Sequence, residues 1–519
     1  MRWIFPAVLV CVLTATSSLA GYCVNAKRGM KTSAAIARYL VDLADNSSGF
    51  AVVGSIGKTL SSANSTGKDI TAILITENAS WDKDSGKPTV VITGAIHGNE
   101  WATPEVCLGI AEYLLDNKDN DSPALDDKGA LINAEAVQSA ADLPESTIIP
   151  RLASIRDLLK TLQVLIIPVF NPEGYDFSHT PAGKQSYYGA GWRPNRVDQQ
   201  ARMSEERCYR PDGTLYATPP AGAEHCFLAD FDDTASGGDL EEESVMICES
   251  VDQQSIALFK PGLSIASAEM FDAVYTSTDP SRVVCTSGER RVWKEEWSTE
   301  DEDRVPLAEA EQDGYLQKAY GVDLNRNFQY KWDVVNDQKH LFIRTRSPSS
   351  RMYRGNGEVS EPETRAMEKL VAERNVVALI DYHAGSTQVL YPYAYSTEVK
   401  VDKNILGGKN DYDVFQRVSE KIAALLNRHD RGDETIVNYT AAQNYNETSV
   451  GSGVARDCYY GTEGIAAVNI EIHDRRYTYE EAEYIQVVPK ICKTNVPGAI
   501  WFLFWAADLR SGALTRHQR

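Results

Sequence analysis

Beyond its first twenty residues the chain lacks any long hydrophobic run. Even the apolar stretch Ala499–Ala507 ends in Asp508-Leu509-Arg510, short of the roughly 18 residues needed to span a bilayer. Positive charge is also scarce, with 52 Lys and Arg against 73 Asp and Glu and a formal net charge of −21. Such a field repels polyanions at long range and excludes a nucleic-acid role. No internal repeat occurs, and no linker rich in Pro, Gly and Ser divides the 519 residues into separate units. With 43% hydrophobic and 24% charged residues, disordered, collagenous and coiled-coil readings are excluded.

After Arg2, the run from Trp3 to Leu13 has the length of a secretory h-region, and Ser18-Leu19-Ala20 supplies small residues before a cut. Residues 1–20 read as a signal peptide, and the mature chain is expected to be secreted, soluble and monomeric. Of nine cysteines, Cys11 leaves with the signal. Cys23, Cys107, Cys208, Cys226, Cys248, Cys285, Cys458 and Cys492 remain, an even set suited to disulfides outside the cell. Asn46, Asn64, Asn78, Asn120, Asn438 and Asn446 open Asn-X-Ser/Thr glycosylation sequons.

Helical and strand patterns alternate along the chain. Helices are expected over Lys31–Ala44, Pro104–Leu115, Glu361–Arg374, Asp413–Arg428 and Pro497–Leu509. Strands are expected over Phe50–Ile56, Thr89–Ile96, Gln163–Val169, Asn375–Tyr382 and Ile465–Ile472. Continuous apolar strands such as Val164-Leu165-Ile166-Ile167 imply burial on both faces. The fold class is therefore α/β, a single three-layer domain with a mixed, mainly parallel sheet between helices. Two segments interrupt the pattern, at about 117–160 and 198–320. The second carries four cysteines and two acidic stretches, and reads as an insertion stapled by disulfides among Cys208, Cys226, Cys248 and Cys285.

His97-Gly98-Asn99-Glu100 follows one apolar strand and precedes a helix whose expected N-cap is Thr103. His383 ends a second strand, and Glu471 lies inside a third, Asn469-Ile470-Glu471-Ile472-His473. A carboxylate within an apolar strand costs several kcal/mol unless something uses it. Strand ends at the carboxyl edge of such sheets are where ligands bind, and two His with one Glu suit a catalytic zinc.

These residues resemble the zinc metallocarboxypeptidases, in order from about Lys31 to Leu509. The resemblance implies one zinc ion per chain, held by His97, Glu100 and His383, with Gly-Asn between the first two as in the carboxypeptidase E and N branch. Trp192-Arg193-Pro194-Asn195-Arg196 resembles the family's Trp-Arg-x-x-Arg, implying that Arg196 donates to the scissile carbonyl oxygen and that Arg193 contributes to substrate binding. Val322-Asp323-Leu324-Asn325-Arg326 resembles the segment that anchors a substrate's terminal carboxylate through Asn325 and Arg326. Glu471 falls on the general base, and Asp323 on the acid that orients the first zinc histidine. The implied partners are the C-termini of peptides or proteins.

The sequence departs from the family where a mobile tyrosine covers the substrate. Tyr445 is the candidate and Tyr439 the alternative, while Cys458 replaces the expected Trp and is available to pair with Cys492. Arg456 falls at the base of the family's side-chain pocket, implying preference for a terminal Glu or Asp; pairing with a structural carboxylate outside the pocket is the other reading. Only 76 residues separate Gly21 from His97, so activity is expected without removal of a pro-domain. Two rival functions stand beside the exopeptidase: a binding protein that has lost its chemistry, and a zinc amidase acting on a γ-glutamyl or isopeptide bond.

Overall fold

The computed structural model describes residues 22–59, 67–82, 85–126, 131, 154–185, 191–196, 321–332, 334, 351–355, 357–401, 403–406, 410–428, 438–444, 450–473 and 480–509. It also describes the backbone of four strands between 246 and 306. The expected signal peptide, Tyr445, Asn64, Asn446 and the side chains of the four insertion cysteines lie outside the described residues.

Among the described residues twelve strands run in chain order: β1 Ala51–Lys58, β2 Asp69–Ile75, β3 Thr89–Thr93, β4 Gln163–Ile167, β5 Met246–Ser250, β6 Ser255–Phe259, β7 Val283–Thr286, β8 Arg304–Pro306, β9 Val376–His383, β10 Ser386–Leu390, β11 Thr440–Ala442 and β12 Ala466–His473. Eight form one sheet in the order β1-β2-β4-β3-β9-β12-β10-β11, and β7-β5-β6-β8 pair separately within the large insertion. The neighbours β4, β3, β9 and β12 are parallel. Pairings β1–β2, β2–β4 and β10–β12 are antiparallel. The α/β class with a mixed sheet flanked by helices is therefore observed.

Strand side chains alternate between two apolar clusters because successive Cβ atoms point to opposite faces. Val90, Ile92, Ile380, Tyr382, Ile470 and Ile472 join one cluster, with helices Thr103–Asp116, Asp411–Arg428 and Glu481–Asp508 packed there. Val91, Leu165, Leu379 and Ala467 join the other, against helices Pro362–Glu373 and Ala455–Glu463. Asp381 and His383 flank Tyr382, so both lie on the second face, as do Asn469 and Glu471 on either side of Ile470.

The last helix begins sixteen residues before the expected Pro497, at Glu481, and contains both Pro489 and Pro497. A proline inside a helix costs about 3 kcal/mol. Here the segment from Val496 to Ala506 is buried throughout, and that burial outweighs the local penalty. No described helix is long and apolar enough to cross a membrane.

The cysteines correct two expectations. Cys492 pairs with Cys23, not with Cys458, joining the first described turn to the final helix across 469 residues. Cys107 and Cys458 are free and buried, so the mature cysteines are not all used in disulfides. Burial raises both thiols, Cys458 to about 12. Of the sequons, Asn46, Asn78, Asn120 and Asn438 are exposed.

Candidate metal centre

Strand β3 ends at Thr93, and the chain turns sharply before helix Thr103–Asp116. Ala95 takes φ +48°, in the left-handed region that costs a non-glycine residue about 1 kcal/mol. Its N–H donates to Thr103 Oγ1 at 2.8 Å, and the same hydroxyl donates to Glu100 O. Thr103 is thus the first helical residue, with Ala102 in the cap position, and its side chain braces the turn rather than capping the helix. Gly98 is required at the turn's crest, where a Cβ would lie 2.5 Å from the Gly174 backbone and 2.7 Å from Trp192 O. Its N–H donates to Arg193 O, bringing the 192–196 segment alongside.

Three buried side chains converge from the turn after β3 and the end of β9. His97 Nδ1 lies 2.8 Å from Glu100 Oε1, while His383 Nδ1 lies 3.2 Å from His97 Nδ1 and 3.3 Å from Glu100 Oε2. Ligand atoms of these three residues all fall within 4.8 Å of one another. Two ligands about 2.0–2.1 Å from a tetrahedral zinc stand about 3.3 Å apart, so this set has the size of such a site. Glu100 Oε2 is buried and makes no hydrogen bond, which suits an atom meant for a cation. Burial would raise Glu100, but His97 and His383 overcome it and hold the carboxyl well below the ordinary range. Burial likewise disfavours charged His383, and Asp381 and Glu100 reverse that, raising it well above the usual imidazole range.

A carboxylate stands behind each imidazole. Asp323 Oδ1 lies 3.2 Å from His97 Nε2 and accepts from Asn325 N at 2.9 Å; its Oδ2 accepts from Arg193 Nε at 2.9 Å. Burial raises Asp323, yet Arg193, His97 and Arg326 together hold it well below the ordinary carboxylate range. Asp381 Oδ2 lies 2.7 Å from His383 Nε2.

Glu471 pairs in register with His383 on β12. Asn325 is buried, with Nδ2 3.3 Å from His383 Nε2 and Oδ1 accepting from Ala455 N. Arg326 Nη1 donates to Asn325 O. Arg193 Nη1 lies 3.9 Å from Glu100 Oε1, whereas Arg196 stacks over Phe177 at 3.8 Å and Trp192 at 5.3 Å. Arg193 thus sets a guanidinium beside the histidine cluster. Tyr439, the alternative cover, is buried, and its hydroxyl donates to Ile472 O at 2.6 Å. Arg456 is buried and donates through Nη2 to Gln443 O. Asp457 Oδ1 lies 3.9 Å from Arg456 Nε, while both Asp457 oxygens accept from Ala394 N and Oδ2 also from Tyr395 N.

Comparison with known proteins gives a concordant picture. The sequence profile described as zinc carboxypeptidase matches residues 36–128 and 274–493. Human (Homo sapiens) mast cell carboxypeptidase A is 31% identical over 84 residues, 16% of this chain and 18% of that protein. A protein named inactive metallocarboxypeptidase ecm14, from Talaromyces marneffei, is 31% identical over 102 residues, 18% of this chain and 16% of its own length. This chain thus spans less than a fifth of the length of either relative. The crystal structure of carboxypeptidase A from Helicoverpa armigera aligns over 93% of this chain and 75% of its own, with a TM-score of 0.51 at 16% identity, a likeness of fold.

Proposed function

The chain belongs to the zinc carboxypeptidase family, and from that premise we propose that it is a zinc-dependent exopeptidase removing single residues from the C-termini of peptides or proteins. The observation that carries this reading is the convergence of His97 Nδ1, His383 Nδ1 and the Glu100 carboxylate, with Glu471 the register partner of His383 on the neighbouring strand.

His97, Glu100 and His383 would hold the metal. When bound, zinc would supply Lewis acidity for activating a water molecule and polarising the scissile carbonyl. Glu471 accepts the proton of the attacking water at its carboxylate. As the carbon–oxygen bond forms and the carbon–nitrogen bond breaks, it passes that proton to the departing amine. Arg196 is the expected donor to the developing oxyanion, and Arg193, near the ligands, is a second candidate for that part. Arg326 can make two parallel hydrogen bonds to a terminal carboxylate, with Asn325 Nδ2 beside it. Recognition of that carboxylate is what makes the reaction an exopeptidase cut.

Arg456 supports a preference for acidic terminal residues. Asp457 is engaged by backbone N–H groups, so it neutralises Arg456 only in part. The catalytic unit is proposed to occupy 21–519 with insertions at about 117–160 and 198–320. Extracellular action is supported by the leader-like sequence, the disulfide and the exposed sequons.

A binding-only reading has one observation in its favour, the relative named inactive. Product analysis of a mixed peptide pool separates the two. Loss of one C-terminal residue is expected with the untreated enzyme, and not after chelation or in Glu471→Gln. An untouched pool under all conditions would favour binding alone.

A further inference from the structure

His383 and Asp381 project from the same face of β9, two residues apart, at the level where β3 and β12 flank the strand. The register sets Asp381 beside Thr93 on one side and Asn469 on the other. Asp381 is buried, and its two oxygens have separate partners. Thr93 Oγ1 donates to Oδ1 at 2.6 Å, and Oδ2 lies 2.7 Å from His383 Nε2. A carboxylate only accepts, so the 2.7 Å contact requires the imidazole proton on Nε2. In the neutral ring the lone pair of His383 is then on Nδ1, the atom that faces His97 Nδ1 and Glu100. Asn325 Nδ2, itself a donor, cannot serve this purpose, although it lies 3.3 Å from the same nitrogen.

We infer that Asp381 is a positioning residue for the metal centre: it fixes the tautomer and ring orientation of His383, as Asp323 does for His97, and Thr93 in turn fixes Asp381. This rests on the metal reading of His97, Glu100 and His383. The result is a site whose two imidazoles are both backed by carboxylates, so that neither ring has to choose its tautomer when a cation enters. It also releases Asn325 Nδ2 from His383 for substrate. Arg456 offers Asp381 a competing role, because Asp381 is among the acids whose charge it feels; Asp457 and Glu471 are the stronger ones.

The test measures zinc affinity of the purified full-length chain by competition with a chromophoric chelator. Parent, Asp381→Asn, Thr93→Val and His97→Ala are compared, with thermal unfolding of each metal-free protein alongside. Asp381→Asn is expected to weaken zinc binding roughly 10–100-fold, and Thr93→Val to weaken it less. Metal-free unfolding should stay near that of the parent. In histidine-labelled protein, the downfield Nε2–H resonance of His383 should be lost in Asp381→Asn. Zinc affinity within about twofold of the parent would overturn the inference, as would a changed terminal-residue preference at unchanged zinc affinity, which would make Asp381 a counter-ion for Arg456. Should Asp381→Asn fail to fold, Thr93→Val decides by the same criterion. A parent that binds no better than His97→Ala would instead refute the metal reading itself.

Discussion

Glu471 and His383 are direct partners across the parallel β9–β12 ladder, so a carboxylate and an imidazole leave the sheet side by side from neighbouring strands. Their backbones are about 4.8 Å apart, a spacing that suits a proton acceptor next to a metal ligand without making it one. Glu471→Gln should therefore lower kcat by roughly 10²–10⁴ while zinc content stays near one ion per chain. Turnover of a peptide substrate and metal analysis of the same preparation check it; joint loss of zinc and activity would mean that Glu471 is a ligand.

The two arginines of the 192–196 segment should separate cleanly. Arg196→Ala is expected to lower kcat by about 10²–10³, the usual effect of removing one oxyanion donor. It also removes a guanidinium stacked on Phe177 and Trp192, and should lower stability as well. Steady-state kinetics and thermal unfolding of Arg196→Ala and Arg193→Ala test the assignment. A kcat loss of that size confined to Arg193→Ala would make Arg193 the donor.

Arg456 makes a prediction about substrates. Among peptides differing only in the last residue, Glu should be cleaved with a higher kcat/KM than Leu, and Leu higher than Lys, because a buried guanidinium attracts one charge and repels the other. Arg456→Met should flatten the series. Fastest cleavage of the Lys peptide would reject the pocket role.

Glu363 gives the fold a pH dependence of its own. It is fully buried beside Glu361, and burial first, then the Glu361 charge, push it up to about 8. A folded pKa above the unfolded value, about 4.3, means stability is intact below that value and is lost as pH rises through about 8. The slope is at most about 1.4 kcal/mol per pH unit for one group. Glu363→Gln keeps an acceptor for Asn195 Nδ2 and removes the charge, so it should stabilise more at pH 9 than at pH 5. Urea midpoints at the two pH values measure it, and equal gains at both would contradict it.

Much of this site was legible because its parts sit at the ends of apolar strands, where a polar residue stands out. His97, Glu100, His383 and Glu471 were all found that way. Asp381 carried the same signal as Glu471, a carboxylate within an apolar strand, but its role depends on Thr93 and His383, and the first of these is a neighbour only through sheet register. Strands β2, β10 and β11 and helices Ile155–Thr161, Pro172–Ser178 and Ala455–Glu463 were missed: most are short, and their stability comes from pairing and packing with distant segments. The choice between Arg193 and Arg196 likewise hinges on Gly98 drawing the 192–196 segment to the turn, a contact no local pattern encodes. The partner of Cys492 could not be read from spacing either, since it lies 469 residues away.

That same bridge alters what a protease can do to the molecule. A cut between Glu100 and His383 would put Cys23 in the piece that bears His97 and Glu100, and Cys492 in the piece that bears His383 and Glu471. A single nick anywhere between them leaves both fragments tethered, so a clipped chain would migrate as one species until reduced, with the two halves of its chemistry still on one covalent molecule.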